Sequence, residues 1–293
     1  MEEHLVLIKP TVHPEVKPQP FLMNFTFSVS FTDCEYVLGM DLLMEWVATD
    51  AFYNSDELDD ELQCHPQTRA MLDAIMEWVG ESELMRDDFL LWLFGPAGAG
   101  KTIIAKRIAE IAADKNLLIA TFFFSKSSPS RNTKDRLVAT LAYQLALSVP
   151  DTRTLIEDAI ERDPAIFYKN IQTQIDTLII RPFQAAPTQV IQVPFPRLII
   201  IDGLDECNDI RAQVAILKAI SRSFRKHDLP MMFLVVSRPE STIVSLFNRN
   251  EPLNSIHRRL PLDNACTDKE HIRTPSIILI LANKHLVLFF FLD

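Results

Sequence analysis

Cysteine is sparse and scattered. The four residues Cys34, Cys64, Cys207 and Cys266 lie far apart and form no C-x-x-C pair. Neither a zinc site nor a disulfide framework is expected, and a reducing, cytoplasmic setting fits best. Cys64 and His65 are adjacent but lack distant partners to complete a metal shell. Basic runs are also missing, and the net charge is -10. Proteins that track phosphate backbones cluster their cations, so no nucleic-acid surface is expected. The start, Met1-Glu2-Glu3-His4, has no signal-peptide charge pattern, which leaves the sequon Asn24-Phe25-Thr26 without a secretory route. At 293 residues the chain can hold one domain of about 200 residues with an ample core, plus short extensions.

Glycine is scarce too, and its placement is informative. Three of the six glycines fall in Gly95-Pro96-Ala97-Gly98-Ala99-Gly100-Lys101-Thr102, directly after the apolar run Phe89-Leu90-Leu91-Trp92-Leu93-Phe94. This is a strand running into a loop of the form G-x-x-x-x-G-K-[ST]. Glycines at these places let backbone N–H groups turn inward around a phosphate without obstruction. Pro96 has no N–H, so the amides from Ala97 to Thr102 are expected to form the cradle. Lys101 is expected at the β- and γ-phosphates and the Thr102 hydroxyl on Mg²⁺, with a helix opening there that aims its positive end at the anion.

A fourth glycine sits in Leu198-Ile199-Ile200-Ile201-Asp202-Gly203-Leu204-Asp205-Glu206-Cys207, an aliphatic strand ending in acids. A carboxylate at the C-terminal end of a parallel strand reaches the phosphate site, so Asp202 is the second candidate for Mg²⁺. Asp205 and Glu206 are candidates to orient or deprotonate a water that attacks the γ-phosphate. A third strand, Met231-Met232-Phe233-Leu234-Val235-Val236, runs into Ser237-Arg238-Pro239-Glu240. Arg238 is thereby delivered to the same sheet edge, where a guanidinium could read the γ-phosphate or simply pair with Glu240 or another acid.

These stretches, GPAGAGKT, LIIIDGLDEC and FLVVSRPE, together resemble the NACHT module of the STAND signal-transduction NTPases, in the nephrocystin-3-like form common in fungal proteins. The lead-in Ala51-Phe52-Tyr53-Asn54-Ser55, the segments 64–69 and 75–79, and Phe122-Phe123-Phe124-Ser125 are similar as well, so the likeness runs from about Val47 to Asn264. It implies a P-loop NTPase with ATP, or another NTP, and Mg²⁺ as cofactors. It further implies a switch that exchanges or slowly hydrolyses nucleotide and oligomerises, by self-association or by pairing with related NACHT proteins. The helical, winged-helix and repeat domains that normally follow the NACHT unit are not legible here.

Along the chain, residues 1–39 read as an extension with a strand at Asn24–Phe31, behind a helix-breaking series of prolines. Met40 to Asp50 has helical spacing, Asp56 to Glu61 reads as a solvated loop, and Pro66 opens a helix from Thr68 to Val79. Strands at 89–94, 117–124, 197–202, 231–236 and near 256–262 alternate with helices at 101–114, 133–148, near 151–162, near 168–181, and at 209–226. The fold class is therefore α/β: a P-loop NTPase three-layer fold with a mostly parallel sheet flanked by helices. Residues 40–88 form a helical lead-in, 89–264 the nucleotide-binding domain and 265–293 an atypical hydrophobic tail. Phe183 to Pro196 reads as a loop. In the tail, Asn283-Lys284-His285 interrupts the apolar run, and Lys alone costs roughly 2.5–3.5 kcal/mol at a bilayer centre. A strand pair packed on the core, or an exposed aggregation-prone tail, is expected before a membrane span. Likeness stops abruptly after Thr274, which points to an exon-end difference that transcript sequence would check.

Three functions compete. The first is the ATP- and Mg²⁺-dependent switch with slow hydrolysis, with ATP favoured over GTP because no N-K-x-D follows the Asp202 strand. The second is a conventional small-molecule kinase or ATPase, with Arg131, Arg136 or Arg153 as lid arginines. The third is an inert or dominant-negative fragment of a larger protein, against which the intact Lys101, Thr102, Asp202 and Glu206 argue.

Overall fold

The computed structural model describes residues 39–56, 66–80, 88–186, 197–226, 230–247, 253, 257–262, 279–282 and 285–288. Four short apolar segments and one polar, largely exposed one build its main sheet: β1 (Leu90–Phe94), β2 (Leu118–Phe123), β3 (Leu198–Asp202), β4 (Met232–Ser237) and, at one edge, the polar β5 (His257–Pro261). Their order is β2-β3-β4-β1-β5 and every pairing is parallel. Near-continuous aliphatic runs suit central strands of such a sheet, because helices cover both faces and no strand position meets water.

The alternation of side chains divides the core into two halves. Trp92, Phe122, Ile199, Ile201 and Val235 point into one cluster, and Leu91, Leu93, Phe123, Ile200, Leu234 and Val236 into the other. On the second face lie α2 (Pro66–Gly80) and α3 (Lys101–Asp114). The first face is covered by α1 (Gly39–Glu45), α4 (Leu137–Ser148), α5 (Arg153–Arg162), α6 (Ile171–Ile175), α7 (Arg181–Ala185), α8 (Ile210–Lys226) and α9 (Ser241–Leu246). This is a three-layer α/β arrangement, an all-parallel sheet between two helical layers. In α3, Ile104, Ala105, Ile108, Ala109 and Ala112 are buried, one face of a helix whose small residues let it lie close to the sheet. The open edge of β2 is answered by a side chain: Gln144 accepts from the Thr121 N–H at 3.0 Å and donates to the Thr121 carbonyl at 2.8 Å. An amide there occupies the groups through which another strand would add.

Several boundaries differ from the sequence expectations. The Met40–Asp50 helix ends at Glu45, and a 3-10 turn follows at Thr49–Ala51. Tertiary pairing wins over local spacing there, since Ala48 N–H donates to Thr140 Oγ1 at 2.9 Å. The helix expected from 133 begins at Leu137, because Asn132 is engaged through its carbonyl by Asn208 N–H at 2.8 Å. The stretch near 168–181 is broken: a 3-10 turn at Pro164–Tyr168, then α6 capped by Asn170, a π turn at Asp176–Ile180 and α7. Pro182 explains the π turn, because its ring cannot donate and would clash with the carbonyl four residues earlier. The widened turn lets Arg181 N–H reach Asp176 O instead. The strand expected at 24–31, most of the acidic run 56–61 and the segment 187–196 fall outside the described residues. In the tail, β6 (Leu279–Ala282) and β7 (His285–Leu288) form an antiparallel pair. No helix of the described residues is long and apolar enough to cross a membrane.

Candidate functional site

Parallel pairing sends the carboxyl ends of β1, β3 and β4 to one edge of the sheet. Strand β4 lies between the strand that feeds the glycine loop and the strand that carries Asp202. The two motifs are therefore not neighbours in the sheet, and the first turn of α3 closes the gap. Thr102 Oγ1 donates to Asp202 Oδ2 at 2.8 Å.

The loop itself is shaped by close approach and by backbone sign. A Cβ on Gly95 would sit 2.2 Å from the Leu262 carbonyl oxygen, because the chain leaving β5 runs alongside and Leu262 N–H donates to Phe94 O at 2.7 Å. Gly98 and Gly100 have φ of 75° and 81°, left-handed values that side-chain-bearing residues rarely adopt. Pro96 offers its carbonyl to Ala99 N–H at 3.4 Å and Ala97 is exposed. Lys101 folds back over the loop and Nζ donates to the carbonyls of Gly95 at 2.9 Å and Pro96 at 2.7 Å. Burial pushes its pKa down, and Asp205 and Asp202 pull the other way.

Asp202 is 3% exposed. Burial pushes its pKa up to about 7; Glu206 and Asp205 add to the rise, and the Thr102 hydroxyl and Lys101 oppose it. Its Oδ1 is buried with no hydrogen-bond partner. An orphaned carboxylate oxygen beside a threonine hydroxyl suits a divalent cation, directly or through its waters, since Mg²⁺ on nucleotide sites takes one or two protein oxygens and fills its shell with phosphate and water. Among the described residues no group of three His, Cys, Asp or Glu gathers as a metal cage.

The two following acids separate in role. Asp205 is 5% exposed and both of its oxygens face Arg238: Oδ1 accepts the Arg238 backbone N–H at 2.9 Å, and Oδ2 lies 3.2 Å from Nε. The neighbouring acid anticipated for Arg238 is thus Asp205 rather than Glu240. Glu206 is half-buried, and its Oε2 accepts the Lys126 N–H at 3.2 Å from the loop after β2. A cavity of about 260 Å³ opens between these groups, lined by Lys101, Thr102, Asp202, Asp205, Glu206 and Arg238. A second cavity, of about 310 Å³, lies among Trp46, Phe167 and Tyr168, away from the glycine loop. Its lysines are paired, Lys134 with Asp135 and Lys169 with Asp163.

None of the arginines considered as lid residues stands at the cavity beside the glycine loop. Arg131 is 6% exposed, with Nε 3.3 Å from Asp50 Oδ2. Arg136 donates to the carbonyls of Glu45 and Val47 at 3.0 and 3.3 Å. Arg153 pairs with Glu157 one helical turn on, at 3.2 Å. Asp50 carries no sequence signal at all: it also accepts from the hydroxyls of Ser128 and Ser130, and so gathers the loop whose Lys126 N–H meets Glu206.

Residues 71–238 match the model of a family described as Nephrocystin 3, N-terminal. No curated protein matches the chain. Among solved structures it is similar to Drosophila ORC bound to GC-rich DNA and Cdc6, at 12% identity and a TM-score of 0.42 over 86% of this chain and 36% of that one. Drosophila ORC bound to DNA gives 13% identity and a TM-score of 0.41, covering 84% of this chain and 38% of that one. The Pif1 helicase from Candida albicans gives 14% and 0.31, covering 69% and 40%. The chain thus spans well under half the length of each.

Proposed function

Because the chain belongs to the family described as Nephrocystin 3, N-terminal, we propose that it is a nucleotide-binding switch of the NACHT type, which binds ATP with Mg²⁺ and hydrolyses it slowly. The observation that carries this reading is the 2.8 Å hydrogen bond from Thr102 to Asp202, with the orphaned Asp202 oxygen beside it. A glycine loop alone is a turn, whereas a hydroxyl and a carboxylate joined across the sheet edge form a cation seat beside a phosphate cradle. The proposed unit is 89–264, with 40–88 as its lead-in, 1–39 as an extension and 265–293 as a tail. Its proposed partners are nucleotide and further copies of itself or related proteins.

In this reading the amides of Ala97 to Thr102 turn to the β-phosphate, and the left-handed glycines leave room for it. Lys101 leaves the Gly95 and Pro96 carbonyls, which hold it in waiting, for the β- and γ-phosphate oxygens. Thr102 and Asp202 would hold Mg²⁺, which would supply neutralisation of phosphate charge. Glu206 orients the attacking water and takes its proton, since Asp205 is spent on Arg238. Arg238 places a permanent charge where the γ-phosphate would lie. The cavity of about 260 Å³ falls below the roughly 300–1,000 Å³ of pockets that enclose a whole small ligand, so it suits the phosphates, with base and ribose beyond it. A conventional kinase is the weaker reading, because Arg131, Arg136 and Arg153 are engaged in internal contacts. An inert fragment would not need these groups kept together.

Glu206→Gln tests the chemistry. The variant is expected to bind ATP within about threefold of the native affinity while phosphate release falls by about 10²-fold or more. Equal loss of binding and release would instead assign Glu206 to folding of the site.

A further inference from the structure

We infer that Asp205 is a positioning residue: it holds Arg238 so that the guanidinium is set for the terminal phosphate of a nucleoside triphosphate, and it thereby sets the preference for triphosphate over diphosphate. The inference rests on the nucleotide-binding reading and assigns the source of its selectivity.

The geometry is unusual for an ion pair. One carboxylate grips both the main chain and the side chain of the same residue, Arg238 N–H at 2.9 Å and Nε at 3.2 Å. A side chain fixed at its own backbone and again at Nε has lost most of its freedom to swing. The anchor is buried and the head is not: the Asp205 side chain is 5% exposed and that of Arg238 is 48% exposed. Both ends of the pair are fastened to the core. Gln213, itself 2% exposed, donates to the Cys207 and Asp205 carbonyls at 2.9 and 3.4 Å and braces the turn that carries Asp205. Ser237 donates to the Arg238 carbonyl at 3.0 Å and accepts from Trp92 Nε1 at 2.9 Å, which braces the end of β4.

An arginine has five N–H donors. Nε lies 3.2 Å from Asp205 Oδ2; the other four donors are on Nη1 and Nη2, at the end of a side chain that is 48% exposed and belongs to a residue lining the cavity. A preset guanidinium pays little ordering entropy when it meets a phosphate, so its gain in affinity falls on the ligand that has an oxygen there. A triphosphate has one and a diphosphate does not. The guanidinium end of the pair is 48% exposed, so the side-chain half of the grip is screened by solvent and contributes little to stability; its aim at the cavity is what the double grip explains.

The test is a two-residue cycle read as the ratio of ADP to ATP dissociation constants, measured by calorimetry with Mg²⁺ on the full chain. Asp205→Asn can still accept the backbone N–H and keeps the shape of the side chain. It is expected to weaken ATP about tenfold, the size of one charge-assisted hydrogen bond, and to leave ADP within about twofold. In an Arg238→Gln background the same change should add nothing further to ATP. Should Asp205→Asn fold poorly, Asp205→Glu keeps the charge but displaces it by one methylene, and is expected to lower the ratio as well. Equal weakening of ATP and ADP, or full additivity with Arg238→Gln, would assign the pair to structure and overturn the inference. Absence of ATP binding by the native chain would overturn the nucleotide reading itself, and this inference with it, an outcome distinct from native binding whose ratio the variants leave unchanged.

Discussion

Thr102 and Asp202 are one hundred residues apart in the chain and joined by a 2.8 Å hydrogen bond. The position of the carboxyl has a cost, because burial holds it out of water beside two further acids, and the Thr102 hydroxyl offsets only part of that. The Asp202 pKa rises from its ordinary 3.8 to about 7, so in the nucleotide-free protein folding takes up a proton between those values. The carboxyl's contribution to stability is full below about pH 4, declines as the pH rises and is gone above about pH 7. Asp202→Asn is therefore expected to leave the nucleotide-free protein about as stable as the native one near pH 4 and more stable at pH 8, by roughly 2–4 kcal/mol. Denaturant titrations at the two pH values check this, and an equal difference at both would contradict it. Asp202 and Lys101 were legible in the sequence because their chemistry demands a fixed spacing from a strand end. The roles of Asp205 and Glu206 were not separable there, since adjacent acids after a strand look alike until Arg238 is placed on a neighbouring strand.

At the scale of elements, the loop after β2 is where the lead-in meets the site. Asp50, in the 3-10 turn upstream of the family match, accepts from Ser128 and Ser130 and lies against Arg131. Burial pushes its pKa up, but the two hydroxyls and the Arg131 guanidinium outweigh burial and hold it below the ordinary value. A depressed folded pKa gives stability that is present above the unfolded pKa and lost as the pH falls through the folded one. Asp50→Asn is expected to destabilise the protein by about 1–3 kcal/mol at pH 7, with the deficit shrinking towards pH 3. It should also speed amide exchange in 125–131. Unchanged exchange in that loop would detach Asp50 from it. Helical spacing in 40–50 hid this turn, because the pattern of Leu42, Leu43, Trp46 and Val47 records burial while the backbone is fixed by Thr140 and Arg136 from another helix. The π turn at Asp176–Ile180 was hidden for a related reason: Pro182 announces a disturbance but not whether the helix breaks or widens.

Over the whole molecule, the alternation of apolar strands and helices carried the α/β class, since β1 to β4 are almost wholly buried, while the polar edge strand β5 is largely exposed. Strand order was beyond it. Nothing in the sequence of β4 says that it inserts between β1 and β3, and that insertion is why a helix turn, and not a sheet neighbour, must bring Thr102 to Asp202. The measurement closest to the central claim is calorimetric titration of the native chain and of Lys101→Ala with ATP, ADP and GTP, with and without Mg²⁺. The account predicts ATP binding that requires Mg²⁺ for full affinity and falls at least about 10²-fold in Lys101→Ala, the scale of losing an ammonium with its charge-assisted bonds to phosphate. Binding that is indifferent to both Lys101 and Mg²⁺, or no binding by a natively folded chain, would contradict it.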